Sequence, residues 1–301
     1  MPTRFRSSLA ASTRSSSSVA KAGARKGKAR IPLLVQRGFD GPIFAQTATA
    51  DLMPVMLLDA AGIAEGDAMR ANRHRKRGEP EAVPLYTKDD VRVAMQRVEP
   101  IPYDTRTELF PGVEMCFRDA GHILGSCSVE LWGDGKKLVF SGDIGPKGTP
   151  ILRDPAVITE ADLVLMESTY GDRLHRDRAD TIHELEEILD DAWRSGGCVL
   201  IPAFAVGRTQ ELLYWFAKHW DDWKMSRWQI FLDSPMASKV VDVYGRHQNL
   251  FDDDAKRVWN NHPNPFKLPN LHITESVDES MAINRIERGA IVIAGSGMAN
   301  A

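Results

Sequence analysis

The run Leu163-Val164-Leu165-Met166-Glu167-Ser168-Thr169-Tyr170-Gly171-Asp172 decides the fold class. Four apolar residues predict a short strand, and it stops abruptly at an acid and a polar turn. Downstream the same unit recurs. Strands at Cys198–Ile201, Ile230–Leu232 and Ala290–Ala294 alternate with helical patterns over 180–194, 209–220 and 236–247. Alternation of this kind predicts an α/β fold with a parallel sheet covered on both faces. In such sheets the reactive groups collect at the carboxyl ends of the strands.

Upstream of Leu163 the pattern differs. Val113–Arg118, Cys127–Leu131 and Lys137–Phe140 predict short strands joined by turns such as Gly133-Asp134-Gly135. Further back, Ile31–Val35 predicts a helix that ends before Gly38, and Ile43–Ala45 a strand. Thr49 or Asp51 opens the next helix, with Leu52, Val55, Met56 and Asp59 at helical spacing. Residues 70–82 are charged and hold Gly78 and Pro80, so they predict an exposed linker. A Leu/Tyr strand and an amphipathic helix are expected over 84–100.

Composition narrows the function classes. The chain has 301 residues, 43% of them hydrophobic, which is ordinary for a globular protein and long enough for one large or two modest domains. Three cysteines argue against a disulfide scaffold. No uninterrupted apolar run approaches the roughly 18–20 residues of a membrane helix. The net charge of −3 hides an asymmetry: residues 1–30 carry eight basic residues and no acid. Residues 31–301 hold 30 basic against 41 acidic residues, a net of −11. The body therefore has no general attraction for phosphate, and nucleic acid would need a local basic groove or a metal ion. The Ser- and Arg-rich residues 1–30 cannot bury enough apolar surface to offset ordering entropy and are expected to be disordered.

Polar residues sit at four strand ends: Ser141-Gly142-Asp143, Glu167 to Asp172, Asp233-Ser234-Pro235 and Gly295-Ser296-Gly297-Met298. A fifth segment, Ala120-Gly121-His122-Ile123-Leu124-Gly125-Ser126, sets a histidine in a glycine-flanked turn between strands. Imidazole and carboxylate are the donors of zinc hydrolases, and a bridging aspartate suits a two-metal site. Trp193, Trp215, Trp220, Trp223 and Trp228 could stack bases, but their helical spacing favours a place in the core. Asp252, Asp253 and Asp254 after Phe251 are read as a solvated helix start.

Taken in order, these words resemble the β-CASP branch of the metallo-β-lactamase superfamily, and within it the RNA-processing nucleases related to the cleavage-and-polyadenylation endonuclease. The words are Ile31-Pro32-Leu33-Leu34-Val35, Ala48-Thr49-Ala50-Asp51-Leu52, the His122 and Asp143 turns, and Glu167 to Arg173. Ile201-Pro202-Ala203-Phe204-Ala205-Val206-Gly207-Arg208, Leu232-Asp233-Ser234-Pro235-Met236-Ala237 and Gly295 to Met298 complete them. The resemblance implies a metallo-β-lactamase domain over 29–174, a β-CASP domain over 175–301, and residues 1–28 outside both. It implies two zinc ions with His122 and Asp143 as ligands, Glu167 as a catalytic-site carboxylate supporting the general-acid histidine, and RNA contacts from Arg173 and Arg208. It also implies RNA phosphodiester hydrolysis in the cytoplasm, no membrane association, and a homodimer as an allowed state.

The sequence also departs from the family. The His-x-His-x-Asp-His motif that precedes the Ile31–Val35 helix in the family is matched here by Ala22-Gly23-Ala24-Arg25-Lys26-Gly27, without His or Asp. The family's histidines after Gly295–Met298 have no counterpart before Ala301. Three readings follow: an inactive fragment of a zinc-dependent ribonuclease, a non-catalytic RNA-binding or scaffold subunit, or a relative acting on DNA. Sheet neighbours left unpaired are expected to make the isolated chain aggregation-prone.

Overall fold

The computed structural model describes residues 30–261 and 264–295; the expectation of disorder for 1–30 falls almost wholly outside them. The described residues form two units, one of 30–147 with 154–166 and one of 148–153 with 167–295.

The first unit opens with helix α1 (Ile31–Gln36), which has Pro32 in its first turn, where a missing N–H costs nothing. Strand β1 (Ile43–Gln46) runs straight into α2 (Thr47–Arg73), a 27-residue helix. Its cap is neither Thr49 nor Asp51: the Gln46 side chain accepts the Ala48 N–H at 2.7 Å. Ala48, Leu52, Met53, Met56, Leu57 and Ala61 form the buried face of α2, which packs on β1, on α3 (Lys88–Met95) and on β2 (Val98–Ile101). By length and composition α2 alone among the described helices could cross a membrane. No strand forms before α3; Thr87 caps it with Asp90 in a reciprocal capping box. The strand of this region is β2, parallel to β1, with Pro100 opposite Ala45.

A five-stranded sheet follows, in the order β3 (Thr107–Phe110), β4 (Val113–Asp119), β5 (Cys127–Gly133), β6 (Lys136–Phe140), β7 (Leu163–Leu165). The first three pairings are antiparallel, and β7 joins β6 in parallel. One face builds a core of Ile101, Met115, Phe117, Cys127, Val129 and Leu131. Glu130 is buried on the other face, where Lys137 neutralises it at 2.5 Å. The strand predicted over Leu163–Met166 is thus present, but as an edge: Leu163, Val164 and Leu165 are 53%, 54% and 47% exposed.

In the second unit α4 (Arg178–Arg194) precedes an all-parallel sheet in the order β10 (Leu271–Ile273), β9 (Gln229–Asp233), β11 (Ala290–Ala294), β8 (Val199–Pro202). Helices α5 (Arg208–Lys218), α6 (Pro235–Arg246), α7 (Asp253–Asn261) and α8 (Val277–Ile283) connect them. Ile230, Leu232, Ile291 and Ile293 are fully buried on one face. The other face differs from the two-sided burial expected of a parallel sheet. Leu200, Val292, Phe231 and His272 lie in one register row across it, and Leu200 is 68% exposed. α8, the helix between β10 and β11, buries no residue. The tryptophans divide as well: Trp223 and Trp228 are core, whereas Trp193 is exposed. Asp252 starts α7 by accepting the Ala255 N–H at 2.6 Å, as the acidic run predicted.

Candidate functional site

The His122 turn joins β4 to β5 in the centre of the first sheet. Asp119 ends β4 and its carboxylate accepts the Gly121 N–H at 2.9 Å. Gly121 adopts φ 61°, which turns the chain sharply at little steric cost. The next two N–H groups, of His122 and Ile123, donate to the Ser126 hydroxyl at 3.1 and 3.2 Å. Ser126 is held in turn, because the Tyr103 hydroxyl donates to its carbonyl at 2.7 Å. The start of α2 closes the turn from a third side: the Thr49 hydroxyl donates to the Gly125 carbonyl at 2.6 Å. A side chain at position 125 would meet Thr49 backbone at 2.6 Å. His122 itself is exposed at the apex.

The Asp143 turn leaves the end of β6. Ser141 donates its N–H to Leu165 across the β6–β7 pair at 2.9 Å, and its carbonyl accepts the Ser128 hydroxyl at 2.7 Å. Gly142 then reverses direction at φ 61°. The two turns are interlocked through Gly145: its N–H donates to the Ala120 carbonyl at 2.8 Å. A Cβ on Gly145 would lie 1.8 Å from the Gly121 carbonyl oxygen and 2.7 Å from the His122 nitrogen. The structure thus brings the backbones of the His122 and Asp143 turns into direct contact, and Asp143 is half-buried.

β6 and β7 run parallel, so their carboxyl ends share one edge of the sheet. Asp143 follows the first by three residues and Glu167, half-buried, follows the second by two. Glu167 opens the second unit, which also carries Arg173 and Arg208. Arg173 is exposed, 3.2 Å from Asp172, and lies over the Tyr170 ring at 5.4 Å. Arg208 is the first residue of α5 and pairs at 2.6 Å with Glu211, which also accepts from Arg178 at 3.2 Å. Both arginines are therefore solvent-facing cations leaning on a local carboxylate. Such pairs contribute little to stability, and the guanidinium stays accessible.

Sequence reasoning singled out the chemical residues of the turns but did not give Ser126, Thr49, Tyr103 and Gly145 their role in fixing them. Thr49 was read only as a helix start, Ser126 only as a residue of the His122 turn, and Tyr103 carried no signal.

The Beta-Casp domain model matches residues 209–301. The chain is 37% identical over 269 residues to a ribonuclease of Thermus thermophilus, covering 89% of this chain and 58% of that protein. The chain therefore carries a β-CASP domain. It is also 29% identical over 276 residues to a transcription termination factor of Methanocaldococcus jannaschii, covering 89% of this chain and 41% of the relative. An endoribonuclease of Kluyveromyces lactis is 26% identical over 259 residues, or 83% of this chain and 33% of its own length. The chain thus spans between about a third and three-fifths of these relatives.

Proposed function

We propose that this chain is the RNA-gripping portion of a zinc-dependent β-CASP ribonuclease of the cytoplasm, with His122 and Asp143 as two of the metal donors. The observation that carries the reading is the interlock of the two turns through Gly145, which holds an imidazole and a carboxylate on one rigid backbone frame. Glu167 is the acid that positions a proton for the leaving oxygen of a cleaved phosphodiester. Arg173 and Arg208 offer planar guanidinium groups to phosphate oxygens.

Catalytic zinc takes about three protein ligands and a water. Among the described residues no three His, Cys, Asp or Glu side chains are grouped so that they could hold a metal ion. Residues 1–29 contain none of these four residue types. The donors among the described residues do not fit a held zinc, and on this reading the chain by itself is an RNA binder that does not cut.

Purified chain dialysed against zinc and assayed by elemental analysis is expected to retain well under two equivalents. Labelled single-stranded RNA is expected to be retained and to stay intact. Two tightly held zincs, or cleavage of the RNA, would overturn the donor argument. Selective retention of single-stranded DNA would move the substrate class from RNA to DNA.

A further inference from the structure

The sequence reading made residues 70–82 an exposed linker, and the structure gives them a fixed shape. α2 continues through Arg73. The Asn72 side chain then closes a ten-residue loop by pairing with both the N–H and the carbonyl of Ala82, each at 2.8 Å. Inside that loop the Lys76 N–H donates to the Glu79 carboxylate at 3.0 Å, and the Arg75 guanidinium donates to the Glu79 carbonyl at 3.2 Å. Gly78, at φ 95°, makes the turn.

What this loop displays is positive charge. Arg70, Arg73, Arg75, Lys76 and Arg77 are all exposed, His74 lies among them, and no acid occurs from 70 to 77. Arg70 pairs with Asp67. No ion pair to a carboxylate is made by the side chains of Arg73, Lys76 or Arg77 among the described residues. Arg70 and Arg73 complement the negative end of the helix dipole. Arg75, Lys76 and Arg77 lie past the last turn, where that effect has faded, so the dipole does not account for them. The block is also an exception in a body that carries a net of −11 over residues 31–301.

We propose that the Arg73–Arg77 loop is a docking surface for the phosphate backbone of single-stranded RNA. The proposal rests on the RNA reading above and adds to Arg173 and Arg208 a clustered set of phosphate contacts on an otherwise acidic body. Its place in the unit is defined by α2: Thr49 at one end of the helix holds the His122 turn, and the basic loop lies at the other. At 1.5 Å per residue the two ends are about 36 Å apart, so the loop grips strand well outside the candidate site.

The test is fluorescence anisotropy of a labelled, unstructured RNA over a salt series, comparing the full chain with the triple variant Arg75→Gln, Lys76→Gln, Arg77→Gln. Both proteins keep the eight basic residues of 1–30, so the difference reports the loop alone. Each lost phosphate contact on a single strand lowers the slope of log affinity against log salt by about 0.7. The triple variant is therefore expected to lose about 2 from that slope, with a melting temperature little changed because the three side chains are exposed and only Arg75 gives up a hydrogen bond, itself exposed. Full binding with an unchanged slope overturns the loop assignment and leaves the RNA reading standing. Failure of the unsubstituted chain to bind RNA overturns both. Loop-dependent binding of poly-glutamate as tight as that of RNA overturns the nucleic-acid assignment in favour of an acidic protein partner.

Discussion

Replacing Gly145 by alanine tests whether the His122 and Asp143 turns form one rigid unit. Gly145 is not at a positive φ, so an alanine there carries no backbone strain of its own. Its whole cost comes from contact. The added Cβ would lie 1.8 Å from the Gly121 carbonyl oxygen, 2.3 Å from its carbon and 2.7 Å from the His122 nitrogen. All three are backbone atoms of a turn already held by Asp119 and Ser126, so none can swing away as a flexible side-chain end could. Overpacking of this kind costs about 1–3 kcal/mol. Separating the turns also breaks the Gly145–Ala120 hydrogen bond, adding about 0.5–1.5 kcal/mol. Together these predict a loss of about 1.5–4.5 kcal/mol in urea unfolding. The amides of Gly121 and His122 should exchange hydrogen faster as well. Gly112→Ala is the control: its φ is 80° with open space around it, so it carries only left-handed strain of about 1–2 kcal/mol. A Gly145→Ala protein within about 0.5 kcal/mol of the parent, with unchanged exchange at His122, would refute the interlock.

Gly245 lies inside α6 with open space where an alanine methyl would point, so Gly245→Ala should raise stability by about 0.5–1 kcal/mol in the same unfolding assay. The His219 imidazole titrates below its usual 6.5, chiefly because burial beside Trp215 and Trp223 disfavours its charged form, with Lys218 adding to the effect. In the unfolded chain it binds a proton more readily, so its contribution is fully present above pH 6.5 and is lost as pH falls through the folded value. His219→Gln should flatten that acid limb in melts taken from pH 8 to pH 5. The exposed edge of β7 predicts self-association. Leu163→Thr with Leu165→Thr should lower light scattering at equal concentration, and unchanged scattering would place the sticky surface elsewhere, with the Leu200 row next in line.

Elements with a local cause were legible. The helix at Ile31 announces itself by Pro32, the β5–β6 hairpin by Asp134-Gly135, and the helix at Asp253 by its acidic first turn. β2 was not, because Val98-Glu99-Pro100-Ile101 holds an acid and a proline. It survives as a strand because, among the described residues, β1 alone pairs with it, in a two-stranded sheet where a missing N–H is tolerated. β10 is three residues long and α8 buries nothing, so neither offers a hydrophobic period to read. The apolar run at Leu163 gave the right strand and the wrong environment, since periodicity reports what a segment can bury and not which neighbours lie beside it. The linker at 70–82 is exposed as expected, but its fixed shape was not legible: the Asn72–Ala82 closure joins residues ten apart, and nothing in either residue marks the pairing.

The candidate site divides along the same line. His122 and Asp143 stand out in the sequence because chemistry needs their residue types at strand ends flanked by glycine. What makes them a unit is a contact between positions 121 and 145, and it consists of backbone atoms and a missing side chain. Such a contact has no signature of its own in one sequence, because a glycine required for close approach looks the same as one required for a turn. The chemical identity of this site is therefore written in His122 and Asp143, whereas its rigidity rests on Gly145, Ser126 and Thr49. Substitutions at those three should loosen the His122 turn while leaving both candidate donors in place.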